Sequence, residues 1–558
     1  MLPLRSCLFG QSPFRGVVIG LVLILLGVAG LMPAAAQDEE AGPGSDTAAV
    51  PSELQDLDVL RRGTEPPTTA GVPYASRDAA LDGRRFDSRS VRSLNGDWRF
   101  HWAPDPQSRP ADFYEPGYDV SDWDRIPVLS NCQMESYGTP IYLNSRYPFK
   151  VNPPRVMGTP PDSFTTHNAR NPVGSYRRTF TIPDGWDDRR VFLQFEGADA
   201  ALFLWVNGEQ VGYSQGSRTL AVFEVTEHLQ VGDNVVAAKV YRFSDGSCLE
   251  DQNMWRLSGL YRDGFLWSAG TEHVRDFFVR TDLDAQYEDA ELQVDVDLTH
   301  FGATEGTYTV EAELLTPDST DRVRTLTSEP QSVSDSTTLT LSGTVEDPDK
   351  WTAETPTLYP LLLTLRDWDG KVVEVRRANI GFREIEKADD RMLANGEPVL
   401  LRGVNRHGHD PEMGHYVSRE TMVEDLRLMK QNNVNAVRNS HYPMLAEWYE
   451  LTDKYGLYVV DEANIESHYF GLWDENPLAS DPDWHEAHLG RARRMVERYK
   501  NTPPWWPGRW KMRPTKEPPS RSCTTRPRSA TPRASQSTAT PTPSTPTPTA
   551  PPTRRSPR

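Results

Sequence analysis

The sequence predicts a multidomain chain of two antiparallel β-sandwiches in tandem followed by the first part of a (β/α)8 barrel. Three observations carry this prediction. Short apolar runs of β type, broken by turn residues, fill the stretch from about Val91 to Arg383. Beyond Ile385 the apolar period lengthens to that of helices. From there, strand, helix, strand, helix, strand follow one another with polar residues gathered where the strands end. The 558 residues, 37% hydrophobic and 10% aromatic, suffice for several cores.

At the N-terminus, Arg5 and Arg15 precede an uncharged apolar run, Val17 to Met32, and then Ala34-Ala35-Ala36. This pattern predicts a secretory signal over 1–36, cleaved near Ala36, because the run is shorter than the roughly 20 residues a spanning helix needs. No later segment is apolar enough to span a bilayer, so the expectation is an exported protein, periplasmic or extracellular, without a membrane partner after cleavage. A linker rich in Asp, Glu, Gly, Ser and Pro is expected over 37–60.

The first sandwich is expected over 61–270. Its strands include Val191 to Phe195, Leu202 to Val206 ahead of the Asn207-Gly208 hairpin signal, and Asn234 to Val240. The second, over 271–383, has the alternation Leu292-Gln293-Val294-Asp295-Val296-Asp297-Leu298, and turn residues Asp369-Gly370 between two apolar runs. Its length and strand density fit an immunoglobulin-like sandwich.

The barrel segment is expected over 384–501, with three strands. Met422, Val423, Leu426 and Met429 repeat at helical spacing behind a Ser418 cap, and a strand runs from Val434 to Arg438. A helix from Leu445 to Tyr455 stops at Gly456, and the strand Leu457 to Val460 follows. Polar residues sit after each strand: Asn405, Arg406, His407 and His409; then Arg438, Asn439, Ser440, His441 and Tyr442; then Asp461, Glu462, Asn464, Glu466 and His468. In such barrels chemistry sits at these strand ends, so the three groups predict a catalytic face. Spacing alone makes Glu466 and His468 a structural or exposed pair before it makes them a cation site. His485 and His488 read as ordinary surface or helix-end histidines.

Charge and cysteine content remove other classes. With 79 acidic against 60 basic side chains the net charge is −19, against the clustered positive charge that nucleic acid requires. Four cysteines without zinc-ligand spacing leave neither a disulfide framework nor structural zinc.

The runs NRHGHDPEMGHYVSRETMVEDLRLMKQNNVNAVRNSHYP from Asn405 and YGLYVVDEANIESH from Tyr455 resemble glycoside hydrolase family 2, nearest to its bacterial β-galactosidase type. SNCQMESYGTPIYLNSRYPFKVNPP from Ser130 and SDGSCLEDQNMWRLSG from Ser244 resemble the same proteins. The likeness covers about Val91 to Asn501 and implies the order jelly-roll, immunoglobulin-like domain, barrel. It implies that His407 and His441 contact a galactosyl ring, that Glu466 and His468 bind Mg2+, and that Asn144 and Asp245 reach in from the jelly-roll, Asp245 near Na+. The implied activity is retaining hydrolysis of terminal β-D-galactosides by a homo-oligomer. Its alternatives are another family 2 activity, β-glucuronidase or β-mannosidase, and a carbohydrate-binding fragment without catalysis. Cys132 and Cys248 depart from the family's aromatic residues, either as two buried thiols or as a disulfide.

A retaining glycosidase needs two carboxyl groups about 5 to 5.5 Å apart. The family's acid/base motif, W-S-L-G-N-E, and its later nucleophile are both absent, so this chain as written is expected to be inactive. After Asn501 the composition changes: the segment 502–558 holds 11 Lys or Arg, one acidic residue and 15 Pro. Reading the bases from the end of codon 504 in the preceding frame permits V-V-A-W-S-L-E-N-E, with further family-like matches beyond. The tail is therefore expected to be out of frame, shifted between about Lys500 and Trp505 in the gene or in its sequencing, the alternative being a true basic Pro/Thr-rich tail.

Overall fold

A computed structural model describes residues 50–302, 305–388, 391–471, 476–502 and 505–506. The expected signal, most of the linker and nearly all of the tail lie outside the described residues, as do Cys7 and Cys523.

The first domain is a jelly-roll of two packed antiparallel sheets. Seven strands lie in the order Arg61–Arg62, Glu209–Gln215, Ala201–Val206, Asp233–Tyr241, Val173–Thr181, Gly96–Ala103, Asp124–Val128. The facing sheet holds Ala221–Glu224, Arg190–Phe195, Gly264–Ala269 and Val91–Ser93. Trp98, Phe100, Tyr176, Leu193, Phe195, Leu204, Val236 and Leu266 fill the space between them. Ala201–Val206 is buried at every position, not on alternate ones, because its outer face is also covered: Phe203 and Trp205 pack with Leu54, Phe113 and Tyr213. The expected hairpin forms, with Asn207 and Gly208 at φ 51° and 91°, the positive values a two-residue turn of this hand requires.

The linker expectation fails from residue 50 onward. Ser52–Gln55 forms a 3-10 turn with Leu54 fully buried, and Gln55 Oε1 accepts from the Val156 and Met157 N–H groups. A polar composition hid Leu54, which with Val50 and Val59 packs on the outer face of the seven-stranded sheet.

The second domain is an immunoglobulin-like sandwich. Glu272–Leu283, Ala290–His300 and Ser336–Val345 face Arg322–Thr327, Gly306–Leu315, Tyr359–Asp367 and Val372–Ile380. The alternation read from sequence points Leu292, Val294, Val296 and Leu298 into the core.

The barrel segment has four parallel strands: β1 (Gly403–Arg406), β2 (Ala436–Asn439), β3 (Tyr458–Val460) and β4 (Trp505–Trp506), in that order. Helices α1 (Arg419–Gln431), α2 (Ala446–Tyr455) and α3 (His485–Tyr499) cross between them. Ser418 caps α1 by accepting from the Thr421 N–H. Gly456 ends α2 at φ 74°, and a Cβ there would lie 2.3 Å from the Ala353 carbonyl oxygen. The core joins Met422 and Leu426 of α1 to Val437, Trp448, Tyr449, Val459 and Tyr499. The expectation of three strands is corrected by β4, which pairs in parallel with β3 beyond the predicted barrel limit. Two tryptophans beside an open edge extend the sheet, although the composition around them is that of a tail. Among the described residues no helix is long and apolar enough to cross a membrane.

Candidate functional site

Successive residues at a strand end point to opposite sides, and this sorts the polar groups after β1, β2 and β3. After β1, Arg406 turns inward: it pairs with Asp425 at 2.8 Å and lies 4.0 Å from the Trp448 ring centroid, tying β1 to α1 and α2. His407, the next residue, is exposed. After β2, Asn439 is fully buried, donating to Asp461 Oδ1 (3.0 Å) and accepting from Trp448 Nε1 (2.9 Å). Asp461 also accepts from the Tyr449 hydroxyl at 2.6 Å. Burial raises its carboxyl to about 6, against the lowering effect of these two donors. Asp461 therefore belongs to the core.

Its neighbour Glu462 belongs to the mouth. Arg438 Nε donates to Glu462 Oε1 at 2.7 Å, and His441 Nδ1 lies 2.9 Å from Oε2. Burial raises the Glu462 carboxyl, but the bonds from His441 and Arg438 prevail and hold it below the usual range. With the carboxylate ionised, Nδ1 of His441 is the donor to Glu462, and Arg438 Nη2 lies 3.1 Å from the same nitrogen. The His407 ring meets the His441 ring edge to face at 5.3 Å between centroids. Burial, then the nearby His441 and Arg218, lower His407 to about 4, so that at neutral pH it both donates and accepts.

The loop after β3 is held by the jelly-roll. The Glu466 N–H donates to Leu249 O (2.7 Å), and the Asp251 N–H to Glu466 O (2.8 Å). His468 Nδ1 lies 3.8 Å from Glu466 Oε1 and 3.1 Å from the Asn144 carbonyl oxygen. Glu466, His468 and Asn144 are thus brought together, as are His407 and His441. Asp245 stands apart in the jelly-roll, fully buried, with Oδ1 accepting from Gly246 N–H. Burial raises its carboxyl to about 7, and Oδ2 has no hydrogen-bond partner.

These donors bear on the implied cations. Among the described residues no three His, Cys, Asp or Glu side chains are grouped to hold a metal. Glu466 and His468 fit a partial shell, the kind Mg2+ accepts when it keeps several waters. The orphaned Asp245 Oδ2 fits a monovalent cation, whose charge would offset its burial. Cys132 and Cys248 are both free and buried, the first of the two readings. His485 is exposed, and His488 Nδ1 bonds to Trp484 O within α3, as expected of helix-end histidines.

Sequence reasoning noted Arg438 and Glu462 without giving them a role, and missed Arg218 and Glu250. Glu250 and Asp251 lie inside the quoted run from Ser244, which was a signal. Arg218 follows Gly216-Ser217 in an unremarkable turn and had none.

Comparison with known proteins gives three matches in the order of the domains. The pattern described as Glycosyl hydrolases family 2, sugar binding domain, matches residues 91–269, Glycosyl hydrolases family 2 matches 272–383, and its TIM barrel domain matches 385–505. The chain is 42% identical over 441 residues to a β-galactosidase of Priestia megaterium, covering 77% of this chain and 42% of that protein. It is 43% identical over 464 residues to one of Photobacterium profundum, covering 81% and 43%. The chain thus spans about two fifths of the length of the curated relatives it matches. Among solved structures, a Bacteroides uniformis β-glucuronidase superposes with a TM-score of 0.62 at 22% identity, covering 74% of this chain and 46% of that one. A Bifidobacterium dentium β-glucuronidase gives 0.60 at 20%, covering 74% and 66%. At such identities these two share the fold. Taken with the domain order and the sequence relatives, they place the chain in glycosyl hydrolases family 2.

Proposed function

We propose that the chain carries the sugar-holding part of an exported, retaining β-galactosidase that releases terminal non-reducing β-D-galactose, and that the 558-residue polypeptide itself is inactive. The observation that carries this reading is the meeting of two imidazoles at the barrel mouth. Neutral His407 faces His441, whose orientation is fixed by Glu462 and Arg438. Such fixed polar groups discriminate between epimers, because a displaced hydroxyl leaves a buried partner unsatisfied. Identity of about 42% to proteins named β-galactosidase supports galactosides over glucuronides or mannosides.

Among the described residues, the carboxyl groups at this mouth already have partners. Glu462 is committed to His441 and Arg438, and the Glu466 carboxylate faces His468 at 3.8 Å. The acid/base and nucleophile belong, in this reading, to sequence encoded in the shifted frame. When bound, Mg2+ at Glu466 and His468 and Na+ at Asp245 supply fixed positive charge that orients oxygen ligands. The full-length enzyme is proposed to be a homo-oligomer, as the resemblance implies.

The test is an assay of the purified 558-residue chain on a chromogenic β-galactoside. The expected outcome is no turnover above background. Turnover that Glu466→Gln abolishes contradicts the proposal of an inactive chain.

A further inference from the structure

Arg218 stands in the turn after the jelly-roll strand Glu209–Gln215, where Gly216 at φ 104° and a Thr219 N–H bond to Gly216 O (3.1 Å) reverse the chain. Its side chain leaves the sandwich and enters between two rings. The guanidinium carbon lies 5.0 Å from the Tyr261 centroid and 4.0 Å from that of Tyr442. Tyr442 follows His441 in the chain, and its ring packs at 6.3 Å from that of His407.

The same guanidinium has a second partner. Its Nη2 lies 3.0 Å from His415 Nδ1, in the segment that joins His407 to α1. His415 Nε2 is 3.2 Å from the Trp255 carbonyl, and its backbone N–H donates to Asn131 Oδ1 at 2.7 Å. A carbonyl only accepts, so Nε2 carries a proton, and Nδ1 lies between the Arg218 guanidinium and Asp199 Oδ2, the latter at 3.2 Å. Burial, and after it the Arg218 charge, hold His415 well below the usual histidine range.

We propose that Arg218 is a positioning residue through which the sugar-binding sandwich fixes both the loop that carries His407 and the loop that carries His441. The proposal rests on the reading of these two histidines as sugar-contacting groups. A planar guanidinium can stack on Tyr442 while its N–H fork reaches His415, whereas a lysine ammonium cannot do both from one position. Arg218 is 2% exposed, so its hold is little screened by solvent. Its charge also faces His407, together with those of Arg438 and of His441 and His409 when protonated.

The experiment is hydrogen-exchange mass spectrometry on the full 558-residue chain, with histidine-ring NMR titration beside it, for Arg218→Met and Arg218→Lys. Met keeps the packing between the tyrosines and removes the charge and the donors. We expect exchange in 407–417 and 440–444 to rise about tenfold in both variants, with the sandwich core unchanged. The His407 midpoint should move up in Arg218→Met and stay near wild type in Arg218→Lys. Wild-type exchange in both loops together with an unmoved His407 titration in Arg218→Met overturns the proposal and leaves Arg218 a packing residue. If Arg218→Met does not fold, unchanged loop exchange in Arg218→Lys overturns it equally. Neither readout requires a sugar, so a failure of galactoside recognition is separately visible.

Discussion

The carboxylate of Glu250 accepts from the Ser217 N–H (3.0 Å) and Ser217 hydroxyl in the jelly-roll, and from Asn464 Nδ2 (2.8 Å) and Arg491 Nη1 (2.5 Å) in the barrel. One buried side chain thus holds together the two domains that build the mouth. Glu250→Ala leaves Arg491, 7% exposed, without its countercharge. Losing one partner of a buried pair costs about 3–5 kcal/mol. Urea unfolding should show a midpoint lowered accordingly; a loss below about 1 kcal/mol would mean that water substitutes for the carboxylate. At this scale the sequence was legible in kind and not in role. His407, His441, Glu466 and His468 stand out because histidines and carboxylates cluster after strands, and the structure pairs them. Asp461 and Glu462 look alike in the chain, yet one turns into the core onto Tyr449 and the other out to His441. The facing of adjacent residues at a strand end depends on where the strand stops, and composition does not fix that.

Among elements, the helices were the most legible, because apolar spacing and caps agree. α1 begins behind Ser418 and α2 stops at Gly456, as the sequence indicates. Gly456 must be glycine for two reasons, its positive φ and the Ala353 carbonyl against which a Cβ would press. Gly456→Ala should therefore lower stability by more than about 1 kcal/mol in thermal or urea unfolding. An unchanged midpoint would show that the α2–β3 turn relaxes freely. Strands were bounded less well: the run predicted from Val434 pairs only over Ala436–Asn439, since pairing begins where the neighbour β1 begins. β4 was missed because two residues are too short a run to read, and Leu54 because it, Leu57 and Leu60 are diluted by Asp, Glu and Gln in a short stretch.

In the whole molecule, partners lie hundreds of positions apart. Arg498 of α3 reaches Glu196 of the jelly-roll at 2.7 Å, and Arg85 meets the same carboxylate at 3.0 Å. No local pattern could announce such pairs, which is why the domain order was legible and the domain contacts were not. Burial raises the Glu196 carboxyl, but Arg498 and Arg85 outweigh it and hold the group down at about 2. A carboxylate depressed in the folded state stabilises above its unfolded pKa of about 4.5 and loses that contribution as pH falls toward 2. The full shift corresponds to roughly 3 kcal/mol. Glu196→Gln should flatten the fall in stability between those two pH values, followed by urea unfolding at each pH; an identical slope in the variant would assign the acid sensitivity elsewhere.

In the proposed reading, this chain holds the sugar-binding part of a two-carboxylate glycosidase whose catalytic carboxylates are encoded in a shifted frame. That reading is tested most directly by re-reading the coding DNA from about codon 495 to well past codon 558. One base gained or lost is expected near codons 500 to 505, with the corrected frame running through W-S-L-E-N-E into further barrel strands and a second catalytic Glu. A frame that stands as given contradicts the shifted-frame reading.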